Sequence, residues 1–254
     1  MIILLKSLNI ERRAKLAKFI MIKGSVSVNE LAKEFNVSTE IIKKDLISLE
    51  KDTIVNKDHC IVLSSNYLER HFDEKLLKNM DNKFKIAKKA VEMIPENGVV
   101  ILDSGTTVLQ IAKLLNLKSN LVIVTNSLIV AQALENTKNQ LIVTGGELRK
   151  KSMSFVGYLA TKAIESIHAD IAFVGCDGFH ADGPCSRSSR ELEVKEKIFE
   201  NSKEVVLVTD SSKFSMDGLY RFATFEQINH LITDINLTEQ QLELLPSNIE
   251  VSLV

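Results

Sequence analysis

The chain has 254 residues, 45% hydrophobic and 26% charged, an ordinary globular composition too long for one small module. Its 32 lysines and arginines face 33 acidic residues, and the net charge of -1 excludes a protein basic throughout, the simplest nucleic-acid-binding profile, but not a basic part masked by an acidic one. Cys60, Cys176 and Cys185 share no metal-ligand spacing, no stretch approaches the roughly 18 apolar residues that span a bilayer, and charge follows the first apolar patch, so a reduced cytoplasmic chain is expected.

Charge and pattern both divide the chain. Residues 1–60 hold 11 Lys/Arg against 8 Asp/Glu, whereas the remainder holds 21 against 25. Up to Glu50 apolar residues recur at helical spacing; beyond Val99 short β-rich runs alternate with helical stretches. The expected organisation is an N-terminal module over residues 1–61, a polar linker over 62–80, and an α/β module over 81–254.

In the N-terminal module, Leu16, Phe19 and Ile20 line one face of a helix over 12–23 that Gly24 ends. Ser27-Val28-Asn29-Glu30 reads as a capping box opening a short helix, Val28 to Phe35. Asn36-Val37 makes a tight turn, and Ser38 caps a third helix running to about Glu50. Ile42, Leu46 and Leu49 share the face that packs on the first two helices, while Glu40, Lys43, Lys44 and Ile47 lie opposite. That is a helix-turn-helix plan, with Lys43 and Lys44 placed for phosphates or guanine edges; two adjacent lysines on a solvated face are the plain alternative.

The second module begins with a helix over 83–94. Strands are expected at 99–102, 121–124, 141–143, 171–174, 205–208, 230–232 and 251–254, each continuously apolar as in a sheet covered on both faces. Helices are expected over 107–115, 127–134, 156–167 and 190–201, which gives an α/β fold with a mostly parallel sheet flanked by helices. Five strand ends run into small polar residues: Asp103-Ser104-Gly105-Thr106-Thr107, Thr125-Asn126-Ser127, Thr144-Gly145-Gly146-Glu147, Gly175-Cys176-Asp177-Gly178 and Thr209-Asp210-Ser211-Ser212-Lys213. Ligands of open parallel sheets sit at the carboxyl ends of strands, and amides at a helix start suit an anion, so these junctions are expected to converge on one anion pocket. Any single glycine among them has the alternative role of making a turn.

Two strings of residues resemble one family. Arg12, Leu16 and Ile20 followed by VSVNELAKEFNVSTEIIKKDLISLE, and then LDSGTT, VTNS, TGGELR, VGCDG and TDSSKF in this order, are similar to DeoR-type bacterial transcriptional regulators over residues 10–235. The resemblance implies a winged helix-turn-helix joined to an effector domain similar in fold to ribose-5-phosphate isomerase. It implies operator binding controlled by a phosphorylated sugar, and a homo-oligomer is expected because one short helix reads too few bases without a paired half-site. Carried over residue by residue, the DNA-binding set is Arg12, Ser27, Ser38, Thr39, Lys43, Lys44, Ile47, Lys57 and His59. The effector set is Asp103, Ser104, Gly105, Thr106, Thr107, Thr125, Asn126, Gly145, Gly146, Glu147, Asp177, Arg187, Lys195 and Lys213. This chain departs from the family in having Ile41 for a threonine and Lys43-Lys44 for two arginines, and lysine lacks the bidentate fork. In the wing it has Asn56-Lys57-Asp58-His59 where a His-Gly-Gly is common, and Ser188 stands for an asparagine. Arg187 and Arg190 are read either as extra anion contacts or as solvated side chains.

Three function classes follow. An aldose-ketose isomerase needs a base and an acid around the carbonyl. Glu147, Asp177 and Glu191 are present, but Val174 and Gly178 stand where the isomerase pattern has acids, so catalysis is not expected. A sensing scaffold without DNA binding is the third class. The five histidines form no metal pair, and no metal or cofactor is expected.

Overall fold

The computed structural model describes Arg12, Lys15, Leu16, Phe19 and residues 26–47, 53–55, 60–63, 72–247 and 249–254. The chain forms two compact units, residues 1–66 and 67–254.

In the N-terminal unit Arg12, Lys15, Leu16 and Phe19 are helical. β1 (Val26–Ser27) leads into α1 (Val28–Glu34), then α2 (Thr39–Ile47), β2 (Thr53–Val55) and β3 (Cys60–Leu63). The capping box forms as expected: the Ser27 hydroxyl accepts from the Glu30 amide at 3.2 Å and the Ser27 amide donates to the Glu30 carboxylate at 2.9 Å. Asn36, with φ of 50°, takes the left-handed conformation that turns α1 into α2. The Ser38 hydroxyl accepts from the Ile41 amide at 3.4 Å. Leu16, Val26, Leu31, Ile42 and Leu46 make the core, and Phe19 meets Phe35 edge to face at 5.8 Å. β3 pairs antiparallel with both β1 and β2, which gives the three-stranded sheet of a wing. The expected packing of Leu49 and the wing residues Asn56 to His59 lie outside the described residues.

The second unit starts earlier than residue 81. β3 runs to Leu63, and helix α3 (Phe72–Leu76) precedes α4 (Met80–Glu92), so both ends of the stretch expected as a linker carry structure. Its polar composition hid this, because Phe72 is the residue that docks it, buried in the main core. Beyond it come β4 (Val99–Leu102), α5 (Thr106–Leu115), β5 (Val122–Thr125), α6 (Leu128–Ala133) and β6 (Gln140–Val143). Then follow β7 (Glu147–Arg149), β8 (Ser154–Val156), α7 (Tyr158–Glu165), β9 (Ala169–Val174), β10 (Gly178–His180) and β11 (Gly183–Ser186). The chain ends with α8 (Ser189–Glu200), β12 (Ser202–Val208), β13 (Tyr220–Arg221), β14 (His230–Thr233), α9 (Glu239–Glu243) and β15 (Glu250–Leu253).

All seven expected strands form one parallel sheet, in the order β15-β14-β12-β9-β4-β5-β6. Val100, Leu102, Ile123, Phe173 and Val206 point to a layer built from α4, α5 and α6. Ile101, Val124, Ala172, Val174 and Leu207 point to the opposite layer of α7 and α8. The alternation explains why the strands are apolar throughout. The chain builds outward from β4 to β6 and then returns to lay β9 against β4, so β4 and β9 flank the point where the connections diverge, the usual ligand crevice of open sheets. Two small antiparallel pieces, β7-β8 and β10-β11-β13, were not legible as strands. The helix expected from Val156 starts at Tyr158, because Val156 closes β8 and Gly157 turns the chain with φ of 82°.

Candidate functional site

On α2 the buried side is Ile42, Asp45 and Leu46, and Glu40, Ile41, Lys43 and Lys44 are exposed. Lys43 lies 3.6 Å from Glu40 along the helix. Thr39 opens the helix and is half-buried, while Ser27 and Ser38 serve as caps. Arg12, expected at DNA, bonds Asp45 at 2.6 Å, and the Asp45 carboxylate is almost wholly buried. Arg12 therefore joins the first helix to α2. The Ile47 side chain, Lys57 and His59 lie outside the described residues.

In the second unit a cleft of about 90 Å³ opens at the carboxyl ends of β4, β9 and β12. Ser104 to Thr107 line it after β4, Gly175 to Asp177 after β9, and Thr209, Asp210, Ser212 and Lys213 after β12. Gly105 precedes α5 and no side chain caps that helix, so its first amides have no local acceptor on the cleft side. An added Cβ at Gly105 would meet only Val108, at 3.9 Å, and at Gly175 it would meet nothing within 4 Å. The free space at both glycines lies beside the cleft.

Six lysines line the cleft: Lys75, Lys78, Lys83, Lys151, Lys195 and Lys213. Among the described residues three carboxylates, Asp177, Glu191 and Asp210, join them. Lys195 is 4% exposed and donates to the Asp103 carboxylate, itself 1% exposed, and to the Gly175 carbonyl at 2.8 Å. Burial opposes the Lys195 charge, but Asp103 and then Glu191 overcome it and hold the lysine above its ordinary range. Asp177 pairs with Lys75 at 2.7 Å and accepts from the Arg187 amide at 3.1 Å. Burial works against its carboxylate too, yet Lys75 and the Arg187 amide hold it well below the usual range. Burial lowers Lys213, and Lys75 adds to the effect. Lys83 falls to about 8 through burial, which Asp210 opposes and the neighbouring lysines reinforce. Glu191 is raised by burial; it accepts from Arg149 at 3.3 Å and from the Ser186 hydroxyl at 3.2 Å. Cys176 is pushed up to about 12 by burial, which leaves it an inert thiol.

Several expected effector residues lie elsewhere. Asp103 is buried behind the lining, where its carboxylate accepts from the cleft lysine Lys195 and from the Gly175 amide at 3.3 Å. Thr125 and Asn126 do not line the cleft: the Thr125 hydroxyl accepts from the Ser127 amide at 3.0 Å, and Asn126 donates to the Phe155 carbonyl at 3.4 Å. Gly145 and Gly146 shape a turn with φ of 66° and 114°, and a Cβ on Gly146 would stand 2.7 Å from the Val156 carbonyl oxygen. Glu147 is exposed and pairs with Arg190 at 2.5 Å, and the Arg190 side chain is itself more than half exposed. Arg187 bonds the Asp217 carbonyl at 3.1 Å. The expected five-way convergence is thus three-way, because β5 and β6 lie on the outer side of β4. Lys75, Lys78, Asn79, Lys83, Lys151 and Ser152 line the cleft without having been foreseen. The signal available was the lysine spacing in EKLLKNMDNKFK.

Such a site offers amides and lysines to an anion, and buried carboxylates and hydroxyls as acceptors and donors for polar groups beside it. Among the described residues no helix is long and apolar enough to cross a membrane, and no cluster of His, Cys, Asp or Glu has the makings of a metal site.

Residues 12–66 match the DeoR-like helix-turn-helix domain, and residues 78–235 match the DeoR C terminal sensor domain. The chain is 34% identical over 251 residues to the "Putative aga operon transcriptional repressor" of Escherichia coli O157:H7, covering 96% of this chain and 93% of that one. It is 30% identical to the "Glycerol-3-phosphate regulon repressor" of Escherichia coli (strain K12), with 88% and 90% covered. Among solved structures, ribose 5-phosphate isomerase A from Methanocaldococcus jannaschii aligns with a TM-score of 0.40 and 18% identity over 54% of this chain and 55% of that one. With both of its domains matched and relatives named as repressors along nearly its whole length, this chain belongs to the DeoR family of transcriptional regulators and not to an enzyme family.

Proposed function

We propose that the protein is a cytoplasmic repressor of carbohydrate-metabolism genes, and that a phosphorylated sugar in the cleft controls its hold on operator DNA. The observation that carries this reading is the excess of lysines around the uncapped start of α5, in the domain attached to a helix-turn-helix. The phosphate sits against Ser104 to Thr107, Lys83 and Lys213. Asp177, Glu191 and Ser152 read hydroxyls on the rest of the sugar. In the N-terminal unit Lys43 and Lys44 meet the major groove, with Ser38 and Thr39 at the start of the helix. One short helix reads few bases, so two or more copies bind paired half-sites. An N-terminal module with an excess of only three positive charges depends on that pairing for affinity.

The test is a gel-shift titration of the protein on DNA from upstream of its own gene, with and without a panel of sugar phosphates. A specific shift that one sugar phosphate alters, and that a Lys43→Ala/Lys44→Ala variant loses, supports the reading. A variant indistinguishable from the wild type, with no effect of any phosphate, overturns it.

A further inference from the structure

One wall of the cleft comes from neither the sheet nor its loops. It is the segment from Phe72 to Lys83, the first described stretch of the second unit, and only residues 67–71 separate it from the end of the N-terminal unit. Bonds at three of its residues hold it to the cleft. The Phe72 amide donates to the Lys151 carbonyl at 3.2 Å, Lys75 pairs with Asp177 at 2.7 Å, and the Asn79 side chain donates to Asp210 at 2.8 Å. Asn79 takes the left-handed conformation, φ 51°, between α3 and α4, and its side chain bonds the cleft instead of capping α4. Lys83 in turn donates to the Lys75 carbonyl at 2.5 Å, tying α4 to α3.

Each bond thus joins the segment to a residue that lines the cleft. The charges resist the same docking. Lys75, Lys78 and Lys83 stand near Lys213 of the β12 loop, with Asp177 and Asp210 as the acids between them. The lowered affinities of Lys83 and Lys213 for their protons reflect burial first and this crowding of cations second. A dianion between the two groups of lysines cancels the repulsion and bonds both sides at once.

We infer that the segment Phe72–Lys83 is a ligand-operated strap: a phosphomonoester is bound between its lysines and the strand-end loops, so that ligand binding and strap docking form one equilibrium, and the ligand's effect on the DNA-binding unit is carried by this strap. The inference rests on the phosphate-binding reading above. A ligand shifts a conformational equilibrium only by its differential affinity for the two states, and a ligand that touches both the strap and its dock favours the docked state.

Two measurements on the full-length protein test it. Hydrogen exchange is followed with glycerol 3-phosphate, with inorganic phosphate and with chloride alone, after thermal shift has established whether either phosphate binds. At ten times the dissociation constant, amides of residues 72–83 are expected to exchange about tenfold more slowly. Slowing confined to residues 104–107 and 209–213 overturns the strap while leaving the phosphate site standing. No thermal shift with either phosphate overturns the site itself. The second measurement ties the strap down with a Phe72→Cys/Lys151→Cys disulfide, at the backbone hydrogen bond between them. Because this variant lacks the cleft lysine Lys151, its oxidised and reduced forms are compared with each other, with phosphate in excess over the dissociation constant measured for each: the oxidised form is expected to lose the effect of phosphate on operator affinity, and reduction restores it. An oxidised variant that responds like the wild type overturns the strap as the carrier of the signal. Should the double variant fail to fold, the exchange result on the wild type decides.

Discussion

Replacing Lys195 by methionine separates the charge chemistry of the sensor domain from its packing. The ammonium donates to the Asp103 carboxylate and to the Gly175 carbonyl, and both Lys195 and Asp103 are excluded from solvent. Methionine retains most of the stem volume but leaves Asp103 buried with the Gly175 amide, 3.3 Å away, as its remaining hydrogen bond. Removing one partner of a buried ion pair costs about 3–5 kcal/mol. For a unit of this size each kcal/mol moves the melting temperature by about 2–4 °C, so a fall of roughly 6–20 °C is expected. A second change, Asp103→Leu on the Lys195→Met background, removes the orphaned charge and should recover most of the loss, since a well-packed apolar pair replaces a buried ion pair at little cost. Differential scanning calorimetry, following the transition of the larger unit, measures both steps. A Lys195→Met variant that melts within ~2 °C of the wild type would refute the argument that this pair is a structural clasp under the cleft.

Gly146→Ala is expected to destabilise by about 1–3 kcal/mol, more than Gly145→Ala, because both have positive φ but only Gly146 faces a carbonyl at 2.7 Å; urea unfolding ranks the two, and equal losses would contradict the steric argument. Lys83 carries its proton in the unfolded chain up to its ordinary 10.5 but in the folded protein only up to about 8, so the melting temperature should rise as pH passes from 8 towards 10. Inorganic phosphate favours the protonated lysine, so it should flatten that rise and bind more weakly above pH 8; a profile unchanged by phosphate counts against Lys83 as a phosphate ligand. Arg12→Ala should weaken operator binding by loosening α2 through Asp45, with the slope of log affinity against log salt unchanged. A slope smaller by about 0.9 would instead identify Arg12 as a phosphate contact.

The strands of the larger unit were legible because burial on both faces writes each one as a continuous apolar run, and the capping box at Ser27 announced α1 by side-chain chemistry alone. The order of strands is written nowhere in such runs. That is why Thr125, Asn126 and Glu147 read as pocket residues: their junctions look like those after β4, β9 and β12, but β5 and β6 lie outward from the point where the connections diverge. Asp103 misled in another way. An acid at a strand end suits a ligand hydroxyl or a buried ammonium equally well, and Lys195 lies 92 positions away in sequence. The strap was the least legible part. Its polar residues made it look like a linker, and its lysines acquire meaning only when Asp177 and Asp210 stand opposite them.

The return of the chain from β6 to β9 also sets a timetable. A chain emerges from the ribosome N-terminus first, and its domains fold largely in that order. The helix-turn-helix is therefore complete while the cleft still lacks the loops after β9 and β12, and β4 still lacks the neighbour that brings Lys195 to Asp103. A chain interrupted anywhere before Lys213 carries a DNA-reading module with no finished receptor. Truncation in the last third of such a chain therefore leaves a helix-turn-helix joined to a sensor domain whose cleft is unfinished.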